Sequence, residues 1–148
     1  MTRTLVVALL AGTALAVASA PAAESRAEAL RPTLTVRSTQ FGRILFDGRG
    51  QALYAFTRDT RGGKSQCYGS CAEAWPVYYA KGRLRAGTGV TKSLIGTVKR
   101  RDGRLQVTYN GWPLYFYAHE GRGEVKCQNV VTHGGTWLVV RPNGRLVR

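Results

Sequence analysis

Negative charge is scarce in this chain. Its 148 residues carry 8 Asp and Glu against 22 Lys and Arg, a net charge of +14. Such a balance bears on solubility and association rather than on fold, and it directs the search for partners toward anionic envelope polymers, lipid headgroups or nucleic acid. No basic helix or dense Lys/Arg block is interleaved with aromatics, so dedicated nucleic-acid binding is not expected. Histidine is nearly absent, with His119 and His133 alone, and each is first an ordinary surface or packing residue. No Ser-His-Asp order, zincin helix, dinucleotide fingerprint or carboxylate pair in a recognisable setting occurs, and Ser65, Ser70 and Ser93 lack a nucleophile elbow. A non-enzymatic protein without a required cofactor is expected. Long apolar runs are missing outside the N-terminus, so the mature chain is expected to have no transmembrane segment and one modest core.

What is present begins with a leader. Residues 1–22 read as a signal peptide: Arg3 is the positive start, residues 5–17 the apolar centre, and Ala18-Ser19-Ala20 a small-residue cleavage pattern. Pro21 would hinder cutting after Ala20, and Ala20-Pro21-Ala22 offers a second site, before Ala23. No cysteine stands near it, so a lipobox is lacking. The expected location is secreted or periplasmic, without a lipid anchor. Residues 23–32 read as a flexible linker and residues 33–148 as the folded domain.

The domain reads as strands joined by tight turns. Leu34, Val36, Ile44 and Phe46 give the period-two pattern of half-buried strands. Asp47-Gly48-Arg49-Gly50 is a hairpin turn leading to a return strand over residues 52–57, with Tyr54 and Phe56 on one face. Residues 65–75 form a short helix that Gly69 weakens and Pro76 ends. Residues 77–79 are a further strand, and residues 81–92 a basic, Gly-rich linker matching no full phosphate loop. Hairpins follow around Arg101-Asp102-Gly103, Asn110-Gly111 and Pro142-Asn143-Gly144. The expected fold class is mainly β: a small antiparallel domain of two repeated hairpin units with one short Cys-bearing helix.

The repetition is visible in the order of residue types. Tyr54, Phe56, Asp59, Cys67 and Trp75 are echoed by Tyr115, Tyr117, Glu120, Cys127 and Trp137, and a turn and a Leu precede each set. At these residues the chain resembles the bacterial secreted repeat proteins of unknown function, predicted lipoproteins with a Y-x-[FWY]-x-x-D motif. Residues 54–59, YAFTRD, fit that motif, and Cys67-x3-Cys71-Ala72-x-x-Trp75-Pro76 is similar to the family's C-x3-C-A-x-x-W-P segment. The second copy ends in Glu120 instead of Asp, and Cys127 departs from it. The resemblance implies a fold and a compartment, and no activity. It supports Cys67 with Cys71 as the disulfide pair.

The residues themselves leave alternatives open. Tyr54, Phe56, Tyr115 and Tyr117 are read as core, or as an aromatic wall. Asp59 and Glu120 sit just beyond their strands, where a carboxylate fixes a turn by accepting loop N–H groups; acid–base work would need a partner group that the sequence does not name. Three cysteines in an oxidising compartment allow one pair and leave one over. In a regular helix, Cys67 and Cys71 would stand about 6 Å apart, near the limit of a disulfide's span, and would be easily reduced. Cys127 with either would staple the two repeats, worth about 4 kcal/mol by chain entropy. The rival readings are copper or zinc held by Cys67, Cys71, His119 and His133, and thiol redox through the Cys67/Cys71 pair. The favoured one is a secreted binding or structural module drawn to anionic envelope surfaces.

Overall fold

The structure, a computed structural model, describes residues 20–148, so residues 1–19 of the expected leader lie outside the described residues. The chain divides after Leu30 into two compact units. The described part of the first is helix α1 (Ala20–Leu30). Residues 23–32, expected as a linker with room for one loose helical turn or two, are helical as far as Leu30. Residues 22–30 contain neither Gly nor Pro and are mostly Ala, Glu, Arg and Leu, which lose little freedom in a helix.

The second unit, Arg31–Arg148, is built from short antiparallel strands. These are β1 (Leu34–Thr39), β2 (Gly42–Asp47), β3 (Tyr54–Phe56), β4 (Ile95–Lys99), β5 (Leu105–Tyr109), β6 (Trp112–Pro113), β7 (Val130–Thr132) and β8 (Gly135–Val139). They form three small sheets, ordered β1-β2, β3-β8-β7 and β4-β5-β6. The mainly β, antiparallel architecture expected from the turn spacing is the one observed.

The local differences have physical causes. The loop after β2 closes with Gly50 N–H on the Asp47 carbonyl at 3.0 Å, and Gly50, not Gly48, takes the positive φ, 92°. Gly48 is small for another reason: a Cβ there would lie 2.1 Å from the Pro32 carbonyl oxygen. The return strand is confined to Tyr54–Phe56, with Ala52 making a single bridge to Phe46. Residues 77–79, 114–117 and 146–147 likewise contribute isolated bridges at Val77, Tyr79, Tyr115 and Leu146 in place of strands. The β7–β8 hairpin was not foreseen. Its two-residue turn is His133-Gly134, with φ of 53° and 78°, the geometry that Asn110-Gly111 supplies at 49° and 80°.

Two apolar clusters form the core. Ile44, Phe46, Tyr54, Phe56, Trp137 and Val139 point into one, while Leu45, Leu53, Ala55 and Val140 point into the other. Strands β2, β3 and β8 are therefore buried on both faces at these positions, where the sequence had suggested one buried face. Their runs ILF, YAF and WLV are continuously apolar, as strands covered on both sides must be.

Candidate functional site

The two copies of the motif meet face to face. Tyr54 N–H donates to the Tyr115 carbonyl at 2.9 Å, and Tyr115 N–H returns a bond to the Tyr54 carbonyl at 2.9 Å. The same reciprocity appears further out. Gly62 N–H reaches the Gly111 carbonyl and Gly123 N–H the Gly50 carbonyl, both at 2.8 Å. The repeats are thus related by a local two-fold pattern centred on the two motif tyrosines.

The motif carboxylates are exchanged across this centre. Tyr54 donates its hydroxyl to Glu120 Oε1 at 2.7 Å, and Tyr115 donates to Asp59 Oδ2 at 2.7 Å. Each acid also accepts a loop N–H from its own repeat, Asp59 from Gln66 at 2.7 Å and Glu120 from Lys126 at 2.5 Å. The turn-fixing role is present, and the second oxygen of Asp59 binds the other repeat. Asp59 and Glu120 are only 4% and 5% exposed. Burial pushes the Asp59 carboxyl up to about 6, against the opposing pull of the Gln66 and Tyr115 bonds and the charges of Arg100 and Arg58. Burial likewise raises Glu120, and both phenols are held well above their ordinary value by burial and by the adjoining acids.

A polar chain absent from the sequence reading runs beside Asp59. Arg100, 5% exposed, donates through Nη1 to Ser65 Oγ at 2.6 Å and to Gln106 Oε1 at 2.8 Å, and through Nη2 to the Cys67 carbonyl at 2.6 Å. Tyr115 spends its one hydroxyl proton on the hydrogen bond to Asp59, so Ser65, which accepts from Arg100, donates to the Tyr115 hydroxyl oxygen at 2.5 Å. The buried cation and the buried acid are thereby joined through neutral hydroxyls. Arg100 Nε, Glu120 Oε2 and Trp137 Nε1 are buried without a hydrogen-bond partner among the described residues. No spacing signal marks Arg100, Ser65 or Gln106 in the sequence; the fold alone gathers them.

The motif aromatics form a stack of four. Phe56 lies on Trp137 with centroids 4.2 Å apart, Trp137 on Trp75 at 3.9 Å, and Trp75 against Tyr117 at 5.0 Å. Tyr54 and Tyr115 meet Trp75 and Trp137 edge-on, at 5.3 and 5.2 Å. The tetrad of aromatics read as core or wall is core, with Tyr117 at its partly buried end. Pro76 ends the local helix and turns its carbonyl to accept Phe116 N–H at 2.8 Å.

The helix is shorter than expected: α2 covers Ser70–Ala74, because Gly69 takes φ 55° ahead of it. Cys67 therefore precedes the helix, and its Cα lies 5.3 Å from that of Cys71, inside the ordinary span of a disulfide. The two are bonded, as the resemblance implied, and the stapling alternatives through Cys127 are not formed. Cys127 is a buried free thiol, raised by burial and by the Glu120 charge, with the Tyr117 hydroxyl beside it. His119 stands edge-on to Tyr117 at 5.5 Å, and His133 occupies the β7–β8 turn. Among the described residues no three His, Cys, Asp or Glu side chains converge, so Cys67, Cys71, His119 and His133 are not gathered into one ligand set.

The family described as a secreted repeat of unknown function matches residues 35–78 and 96–141, one copy for each half of this two-fold arrangement. Among curated proteins no match is found, and none among solved structures. No helix among the described residues is long and apolar enough to cross a membrane.

Proposed function

Since the chain belongs to this family of secreted repeats of unknown function, we propose that it is a non-catalytic, exported binding module whose motif fastens two repeats while its basic exterior engages anionic envelope polymers. One observation carries this reading: the motif residues Tyr54, Tyr115, Asp59 and Glu120 are buried and hydrogen-bonded to one another across the two repeats. A phenol pair held above its ordinary pKa and carboxylates buried against it offer acid–base chemistry no exposed group. The exterior is different. Asp47, Asp59 and Glu120 are buried, whereas Arg100 is the one buried Lys or Arg among the described residues. Folding therefore withdraws acid from the surface and leaves the basic side chains there. A place in the periplasm or outside the cell completes the proposal.

Metal binding through Cys67 and Cys71 would first require a reductant to open their bridge, and a redox cycle would need that reductant to reach two buried residues. The test is adsorption to an anionic polymer at rising ionic strength. Retention that falls steeply between low and physiological salt supports the module; retention indifferent to salt refutes it.

A further inference from the structure

Away from the repeat centre, a cleft of about 520 Å³ opens between the loop carrying Arg61, the β5–β6 turn and the C-terminal hairpin. Arg61, Arg141, Arg145, Arg148 and Trp112 line it, and no Asp or Glu side chain does. Elsewhere on the surface Arg104 pairs with Asp102 at 2.8 Å. In the cleft, four arginines share one lining with no Asp or Glu side chain among them.

The walls are tied together through Asn110. Arg61 Nε donates to the Asn110 carbonyl at 2.8 Å and Nη2 to its Oδ1 at 2.6 Å, while Asn110 Nδ2 donates to the Gly144 carbonyl at 3.4 Å. Tyr109 anchors the same hairpin through the Pro142 carbonyl at 2.6 Å. Gly144, at φ 78°, has no room for a side chain: a Cβ would lie 2.3 Å from that of Asn110. The cleft is thus held in shape before any ligand arrives, which lowers the ordering cost of binding. It also breaks the two-fold pattern. The counterpart of Trp112 in the first repeat is Gln51, whose amide is spent on the Glu120 carbonyl at 3.1 Å. Trp75 and Trp137 are buried, whereas Trp112 packs against the second apolar cluster and remains partly exposed.

We propose that this cleft binds a phosphate-bearing sugar unit of an anionic glycan. Guanidinium forks match tetrahedral phosphate oxygens, and several arginines can share one such group. The exposed part of the Trp112 indole offers an apolar surface to the sugar ring beside it. The volume lies within the roughly 300–1,000 Å³ of ligand pockets. The inference rests on reading the basic exterior as the binding surface, and it adds a place and a ligand class.

The probe is glucose 1-phosphate, compared with inorganic phosphate, glucose and a short single-stranded oligonucleotide. Shielding of Trp112 from acrylamide quenching is the readout, since the two buried tryptophans contribute little. Glucose 1-phosphate is expected to bind about tenfold more tightly than either fragment. Arg141→Gln with Arg145→Gln is expected to weaken it about tenfold or more, and Arg145→Gln alone, at an exposed loop position, to act in the same direction. Lys81→Gln with Arg83→Gln, outside the cleft, removes the same charge and is expected to change binding less than twofold. Equal loss in the two double variants overturns the cleft, as does phosphate or oligonucleotide binding as tightly as glucose 1-phosphate. A wild-type protein that ignores glucose 1-phosphate yet adsorbs to anionic polymer in a salt-dependent way refutes this inference alone. One that does neither refutes the proposed function as well.

Discussion

Replacing Tyr115 with Phe tests the crossed fastening at one atom. The substitution keeps the ring against Trp137 and removes the hydroxyl that stands between Ser65 and Asp59. At pH 8 Asp59 is ionised, and it loses a charge-assisted bond inside the fold, a loss of roughly 1.5–3 kcal/mol. For a domain of this size that lowers Tm by about 6–12 °C. The penalty should depend on pH. Asp59 titrates near 6 in the folded protein against 3.8 for an unperturbed carboxyl, so the native state binds the extra proton between those values. Wild-type stability therefore falls as pH rises from about 4 through about 6, and then levels. The Tyr115 bond lowers the Asp59 pKa, so the variant titrates higher and its loss extends further up the pH scale. Near pH 4 both partners are neutral, and the substitution is expected to cost only about 0.5–1.5 kcal/mol. Urea unfolding of both proteins at pH 4 and pH 8 measures the difference. A penalty equal at the two pH values, or below about 0.5 kcal/mol at pH 8, would refute the reasoning.

Further consequences can be measured on the same protein. Cys67→Ser with Cys71→Ser opens a short loop and is expected to lower stability by about 2 kcal/mol, read by urea unfolding, while salt-dependent adsorption stays unchanged. Trp75→Ala removes the central ring of the stack and is expected to cost about 3–5 kcal/mol, enough to leave much of the chain unfolded by near-UV circular dichroism. Cys127, buried and raised by its surroundings, should resist iodoacetamide at pH 7 in the folded protein and react once unfolded; fast labelling of the native state would contradict its placement.

How much of this was legible in the sequence differs by kind of interaction. The repeat, the antiparallel class and the three Asp-Gly or Asn-Gly turns were readable because local φ preferences and residue order carry them. Residues 52–57 read as a half-exposed strand because alternation was sought; that Leu53 and Ala55 face a second core depends on what covers them. The helix reads too long, over residues 65–75, because propensity alone makes Gly69 a weak helix residue, whereas its positive φ makes it the break. His133 was considered as a ligand because of its chemistry, and its backbone turned out to serve a hairpin. The exchange of Asp59 and Glu120 between repeats was out of reach, since sequence order places each acid beside its own tyrosine and only the two-fold packing sends it to the other. Arg100 and the arginine cleft escaped for the same reason, their members being scattered along the chain.

The central claim is that the motif locks the repeats together and leaves binding to the exterior. Tyr54→Phe combined with Tyr115→Phe tests it most directly, by measuring affinity for an anionic polymer at a temperature where the variant is still folded. The account predicts a lower Tm and an unchanged affinity. A folded variant that has lost binding would show that the motif hydroxyls act on the ligand, and the account would be wrong.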